Sequence, residues 1–300
     1  MIPKLSDSRK PARLVVRLLR SNGMRTAEWI HIVVFSFFVA LACVRALPRR
    51  RRTKAIGSGV LGVGVTLTGA FLLPRLLPPL VVSVLRDWLP AALILLVYRQ
   101  TGEFFVRIDQ RFQDRLERID ERIAAPLLRW LSRCPARNWI AASLELAYLL
   151  CYPMIPMSFG TLYLLRLTQH ADHFWVVVLI SAYLSYGVLP FLQTLPPRML
   201  AEPWLPVLPH NRVRALNLWI LRHASIQVNT FPSAHVAAST GAALVLLALA
   251  PWPIGLAFVT SAAAIAVGTF TGRYHFSSDA IAGSAVAIIV FLAARWFGPS

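Results

Sequence analysis

Three short segments in the C-terminal half of the chain collect residue types that its apolar surroundings lack. The first runs Gln193-Thr-Leu-Pro-Pro-Arg198-Met-Leu-Ala-Glu202, the second Asn229-Thr-Phe-Pro-Ser233-Ala234-His235, and the third Gly272-Arg273-Tyr-His275-Phe-Ser-Ser-Asp279-Ala-Ile-Ala-Gly283. Two histidines with pKa values near neutrality can divide the work of nucleophile and general acid. Arg198 and Arg273 offer bidentate forks to anionic oxygens. A Pro-Ser turn at a helix start leaves backbone N–H groups, Ala234 among them, aimed at the same oxygens. With the carboxylate of Asp279 at the same membrane face, the set reads as a phosphate-handling site.

The elements that must position these residues are membrane helices. Of 300 residues, 57% are hydrophobic and only 15% charged, and mean hydropathy is +0.59, values foreign to a soluble globule. The apolar residues run continuously instead of alternating, which excludes a β-barrel. A span needs about 20 apolar residues to cross the hydrocarbon core. On that ruler eight candidates appear, at about 29–47, 55–73, 78–98, 138–167, 173–193, 235–250, 253–271 and 279–298. Arg86, Asp87 and Pro90 interrupt the third, which reads as broken or tilted. Pro251 and Pro253 turn the sixth into the seventh as a hairpin. Counting crossings places all three polar segments on one side of the membrane, so they can converge. The fold class is therefore all-α: a polytopic helix bundle with a six-helix core over 78–298, two extra spans in 29–77, and a basic arm over 1–28.

Between the third and fourth spans, residues 103–131 carry Phe104, Ile108, Phe112, Leu116, Ile119, Ile123 and Leu127 every three or four positions, an amphipathic helix. Its other face carries Arg107, Arg111, Arg115, Arg118 and Arg122 among acids, and a helix lying among lipid headgroups fits best. The net charge is +18, and residues 1–54 alone hold 13 Lys/Arg against two acids. Basic residues this close to apolar segments mark topology and contact with anionic lipids, not nucleic acid. Ala40-Leu41-Ala42-Cys43 suggests a signal-peptidase site, but the long polar leader and the 19-residue apolar run fit an uncleaved anchor. Three cysteines, Cys43, Cys134 and Cys151, imply neither a disulfide framework nor a zinc site.

At the polar segments the chain resembles the membrane-bound type-2 phosphatidic acid phosphatase superfamily, the lipid phosphate phosphatases, whose fold is shared with vanadium haloperoxidases. The family's second motif, Pro-Ser-Gly-His, is matched by Pro232-Ser233-Ala234-His235, and the end of its third, His-x-x-x-Asp, by His275 and Asp279. The resemblance implies a metal-independent, cofactor-free displacement on a phosphorylated lipid. His275 would attack phosphorus, Asp279 would hold the imidazole tautomer, and His235 would protonate the leaving oxygen. Ser233, Ala234, Arg198 and Arg273 would hold the phosphoryl oxygens. Two family cations have no counterpart: the first motif's lysine position falls on Phe191, the third motif's arginine on Thr269, and Met199 replaces a proline. Arg273 is the nearest substitute for the missing arginine, and Arg212, Arg214 and Arg222, in the loop before the second motif, are candidates to compensate. The Pro-Pro-Arg first motif resembles the branch containing inositol phosphorylceramide synthase, which raises an alcohol as the acceptor in place of water.

Other residues have plainer readings beside functional ones. Glu145, an acid inside the fourth span, either supports the site or pairs with an arginine such as Arg86. His170, Asp172 and His173 have the look of a metal cluster but fall on the face opposite the motifs and read as loop polars. Gly57, Gly59, Gly62 and Gly64 suit close helix packing. Ser233 also suits a helix N-cap. The motif side holds 19 Lys/Arg against 10 opposite, which favours a cytoplasmic site by the positive-inside rule, whereas many bacterial members of the resembled family resemble enzymes working on the outer face, so the side stays open. The activity expected is that of a lipid phosphate phosphatase in the cell membrane. The alternatives are a transferase moving a phosphoryl-headgroup between lipids and a non-catalytic lipid-binding protein.

Overall fold

The computed structural model describes residues 23–200 and 209–297. Residues 1–22 of the basic arm, Glu202 and residue 298 lie outside them. Eleven α-helices follow one another with no strand among the described residues: α1 Thr26–Val44, α2 Arg49–Leu67, α3 Pro79–Gly102, α4 Gln110–Arg133, α5 Arg137–Leu149, α6 Cys151–Leu164, α7 Ala171–Val188, α8 Arg212–Ala224, α9 Ala234–Leu249, α10 Trp252–Thr271 and α11 Ser277–Phe297. A π-type turn over Thr68–Leu72 continues α2 into a last turn at Leu73–Leu76. Among the described residues six helices are long and apolar enough to cross a bilayer, the bent pair α5–α6 makes a seventh, and α9 is a shorter apolar helix. The protein is a multi-pass membrane protein.

The short helix α9 is the axis of the bundle, enclosed by α6, α7, α10 and α11. Its inward residues are mostly small, among them Ala237, Ala238, Ser239, Gly241, Ala242 and Ala243, which lets four neighbours approach closely. A helix apolar on every face is stable only when surrounded. The extra spans α1 and α2 pair through Gly59 and Gly62, where a Cβ would stand 2.3 Å from Val39 and from the Phe35 ring respectively; Gly57 and Gly64 face open space.

Polar contacts sort the helix ends. On the face opposite the motifs, Asp172 accepts from the N–H groups of Thr26 and Ala27 and so caps α1. There Arg86 pairs with Glu28 at 2.7 Å, and Asp87 accepts from Arg25 and, at 2.5 Å, from the Tyr163 hydroxyl. These pairings satisfy Arg86 and Asp87 inside α3, which runs as one continuous helix across them and Pro90; of the expected broken or tilted span, the break does not occur there. The break falls in the fourth span instead, where α5 and α6 meet at 56°. Pro153 lacks an N–H and its ring collides with the carbonyl four residues earlier, that of Leu149, where α5 ends.

Two further expectations change. The amphipathic helix begins at Gln110, capped by Asp109 accepting from Phe112 N–H at 3.1 Å, and ends at Arg133. Residues 103–109 are not part of it: Phe104 is fully buried against Phe38, and the Gln193 side chain ties down the segment by accepting from Val106 and Arg107 N–H. The face turned to the bundle is Gln113, Leu116, Asp120, Ala124 and Leu128, while Ile119 and Ile123 point outward. The stretch read as a loop before the second motif contains α8, capped by Asn211 accepting from Arg214 N–H at 2.9 Å. Its buried stripe is Arg214, Asn217 and Leu221, largely polar, which hides it from a search for apolar periodicity.

Candidate active site

The second and third motifs meet because α9 and α11 start side by side. Ser233 N–H donates to the Asp279 carbonyl at 3.0 Å. The approach requires Gly283, where a Cβ would come 2.6 Å from the Ser233 carbonyl oxygen. Ser233 caps α9, its hydroxyl accepting from Val236 N–H at 3.5 Å. At the start of α11 the Asp279 carboxylate accepts from Phe276 N–H at 3.0 Å and faces Nδ1 of His275 at 3.3 Å. Asp279 thus fixes the loop and the imidazole together, and with Nδ1 carrying the proton the other ring nitrogen is left unprotonated. The His275 and His235 rings stand 6.2 Å apart, edge to face. Burial, and then the charge of Arg198, push the His275 pKa down to about 3, so this imidazole is neutral at physiological pH.

The loop that carries His275 is held from three sides. Thr269 O accepts from the N–H groups of Tyr274 and His275 at 3.0 and 3.2 Å. Arg273 sits in the left-handed region, φ 65°, which is uncommon for a side chain of this size, and its carbonyl accepts from Arg198 N–H at 2.9 Å. Arg198 itself, on a short turn over Pro197–Met199, directs its guanidinium to the Tyr274 carbonyl and to Gln227 Oε1, at 3.4 and 3.5 Å. Burial lowers its pKa from the usual arginine value. The first and second segments are joined by a bridge in which Asn229 N–H donates to Thr194 O at 3.0 Å.

The structure therefore brings together His275, Asp279, His235, Ser233, Ala234 and Arg198. Arg273 lies at the edge of the group, its guanidinium paired with Asp120 of α4 at 2.6 Å. Glu145 does not meet Arg86: it pairs with Arg214 at 2.6 Å, accepts from Asn217 at 2.8 Å and takes the Tyr274 hydroxyl, beneath the loop and one residue from His275. Arg222 is not brought to the site; it lies exposed on α8 and donates to the carbonyl of Leu218. Phe191, at the missing lysine's position, is exposed beneath the Arg45 guanidinium.

Residues that motif reading passed over complete the surroundings. Tyr98 and Tyr152 flank His235, with ring centroids 6.5 and 6.0 Å from it. They belong to a cavity of about 360 Å³ between α3, α6 and α9, lined by Ile94, Leu95, Ile155, Tyr186 and His235 among others. Outside the cavity's lining, α3 and α6 meet through the rings of Trp88 and Phe159, centroids 4.9 Å apart. A lone tyrosine in an apolar span carries no periodic signal, so only the packing discloses these neighbours.

A family model described as the PAP2 superfamily matches residues 114–293, more than half of the chain. The protein belongs to the PAP2 superfamily. The matched segment starts inside α4 and runs through all three polar segments into α11, leaving α1 to α3 outside it. No curated protein and no solved structure matches significantly. Membership supports an enzyme of the phosphatase or phosphotransferase type, and a membrane-embedded PAP2 protein points to a lipid substrate.

Proposed function

We propose that this PAP2 protein is a lipid phosphate phosphatase that works through a phosphohistidine intermediate. The observation that carries the reading is the pairing, across 6.2 Å, of a neutral, Asp279-oriented His275 with His235, which lines a largely apolar cavity. A phosphate seated between the rings would have its oxygens held by Arg198, by the N–H groups at the start of α9 around Ser233 and Ala234, and by Arg273. The leaving lipid would extend into the cavity, whose volume is at the small end of ligand pockets, about 300–1,000 Å³, and whose lining suits one hydrocarbon chain.

In the first step the unprotonated nitrogen of His275 forms a bond to phosphorus while the bond from phosphorus to the lipid oxygen breaks. His235 passes to that oxygen a proton that the phosphomonoester, bound as its monoanion, brings with it. The positive charge that develops on His275 is met by the Asp279 carboxylate. In the second step His235, again neutral, takes a proton from water as the water oxygen attacks phosphorus and the bond to His275 breaks; the inorganic phosphate leaves with that proton, and both histidines are restored. The arginines and helix N–H groups meet the oxyanion charge, so the scheme calls on no metal and no cofactor. The outward arginines of α4, among them Arg111, Arg115, Arg118 and Arg122, suit anionic headgroups beside the site.

The test is phosphate release by the purified protein from phosphatidate, isoprenyl phosphates and sphingoid phosphates in EDTA, beside His275→Ala. Release that disappears in the variant is expected. Activity that survives His275→Ala refutes the phosphohistidine route. Absence of release, with transfer of a phosphoryl-headgroup from a phospholipid to ceramide or diacylglycerol, would replace the hydrolase with the transferase.

A further inference from the structure

Helix α4 supplies none of the motif residues, yet it touches all three segments that do. Gln113 Oε1 accepts from Leu195 N–H at 2.8 Å, three residues before Arg198. Phe112 meets Phe231 edge to face at 5.1 Å, two residues before Ser233. Asp120, fully buried, spends its two oxygens on the third segment: Oδ2 accepts from Arg273 at 2.6 Å and Oδ1 from Ser277 N–H at 2.7 Å. These two donors flank His275 in sequence. We infer that α4 is a splint that assembles the site, and that Asp120 is a positioning residue which sets the placement of His275 through Arg273 and the start of α11.

The chemistry of the contact supports more than packing. A carboxylate with both oxygens bonded in a buried setting has one arrangement, and α4 is an amphipathic helix of 24 residues whose position is fixed along its whole length. Asp120 also occupies the positive end of α11. The N–H of Ser277 is thereby committed to a protein carboxylate, and α9 is left as the helix whose N-terminus can receive a substrate phosphate. Arg273, where burial lowers the pKa and the Asp120 charge raises it, is anchored in its left-handed conformation by the same contact. The family arginine missing at Thr269 is thus answered by an arginine held from outside the motif. Small displacements of reacting groups, about 1 Å, cost on the order of 100-fold in rate.

The inference rests on the phosphohistidine reading, so the experiment separates the two. Steady-state phosphate release from short-chain phosphatidate in mixed micelles is measured for wild type, His275→Ala, Asp120→Asn and Gln113→Leu, with thermal stability recorded for each. Asp120→Asn keeps the volume and an acceptor for Ser277 N–H but loses the charge that holds Arg273. The splint predicts that it lowers kcat by about 10- to 100-fold with KM changed by less than threefold and with a melting temperature near that of wild type. Combined with Arg273→Ala it should add little to the loss caused by Arg273→Ala alone, because both act through one contact. Gln113→Leu cuts the other end of α4 and serves if the Asn variant does not fold; it too must lower kcat at preserved stability. If Asp120→Asn stays within twofold of wild type while His275→Ala is inactive, the splint is overturned and the mechanism stands. If losses in kcat follow losses in melting temperature in both α4 variants, α4 is only a structural part and the positioning role is overturned. Full activity in His275→Ala would instead overturn the mechanism itself.

Discussion

Glu145→Leu is the substitution whose cost the structure defines most closely. The carboxylate is buried within the bundle and holds three partners: Arg214 through Oε1 at 2.6 Å, Asn217 through Oε2 at 2.8 Å, and the Tyr274 hydroxyl. Side-chain exposures of 5% for Glu145 and 8% for Arg214 leave little water to take over. Removing one partner of a buried pair leaves the other charge uncompensated, at about 3–5 kcal/mol. With about 2–4 °C per kcal/mol for a chain of this size, the melting temperature should fall on the order of 10 °C. Removing both charges as Glu145→Leu/Arg214→Leu should recover part of that loss, since a buried pair replaced by apolar groups is often near neutral. Thermal unfolding in detergent, followed by size exclusion, of these two variants and of Arg214→Leu gives the coupling energy. Because Tyr274 precedes His275 and stacks on Tyr148 at 3.8 Å, the single variant should also lose phosphate release below its own melting point. A Glu145→Leu protein melting within about 2 °C of wild type, or a double variant whose loss equals the sum of the singles, would refute the account of a coupled buried pair.

Two further outcomes follow from the geometry. Gly283→Ala places a methyl group 2.6 Å from the Ser233 carbonyl oxygen and must drive α9 from α11; it should cost about 1–3 kcal/mol and most of the activity, while Gly64→Ala, which meets open space, should be neutral or slightly stabilising, both read by thermal unfolding and phosphate release. The His275 pKa is pushed down to about 3 in the folded protein against 6.5 ordinarily, so between those values the unfolded chain binds a proton that the folded one does not. Stability is therefore fully present above about pH 6.5 and lost as pH falls toward 3, and His275→Asn should narrow the difference in melting temperature between pH 7 and 4.5.

Much of this protein was legible in one dimension. Continuous apolar runs without alternation fix membrane helices, since a helix satisfies every backbone group within its own segment; six of the eight runs are helices long enough to span, one is the bent pair α5–α6, and one is the shorter helix α9. His235, Ser233, His275 and Asp279 stood out because histidines and acids are costly beside hydrocarbon and were spaced as a motif. Crossing parity alone put them on one face. Even the bend between α5 and α6 had a local cause in Pro153, although an apolar ruler runs straight across it.

The tertiary structure decided which charge meets which. Arg86 and Asp87 looked like a break in α3 until Glu28, Arg25 and Tyr163, distant in sequence, supplied their partners. Glu145 found Arg214 across 69 residues, and Asp120 found Arg273 across 153. Helix α8 buries an arginine and an asparagine, so apolar periodicity passes over it. On α4 the buried stripe is shifted from the most apolar one because a carboxylate satisfied by two donors is stable inside, while Ile119 and Ile123 can face lipid. Periodicity reports which face avoids water, and in a membrane that is not always the face that meets the protein; a polar residue's place is set by its partner, which only the folded chain brings within reach.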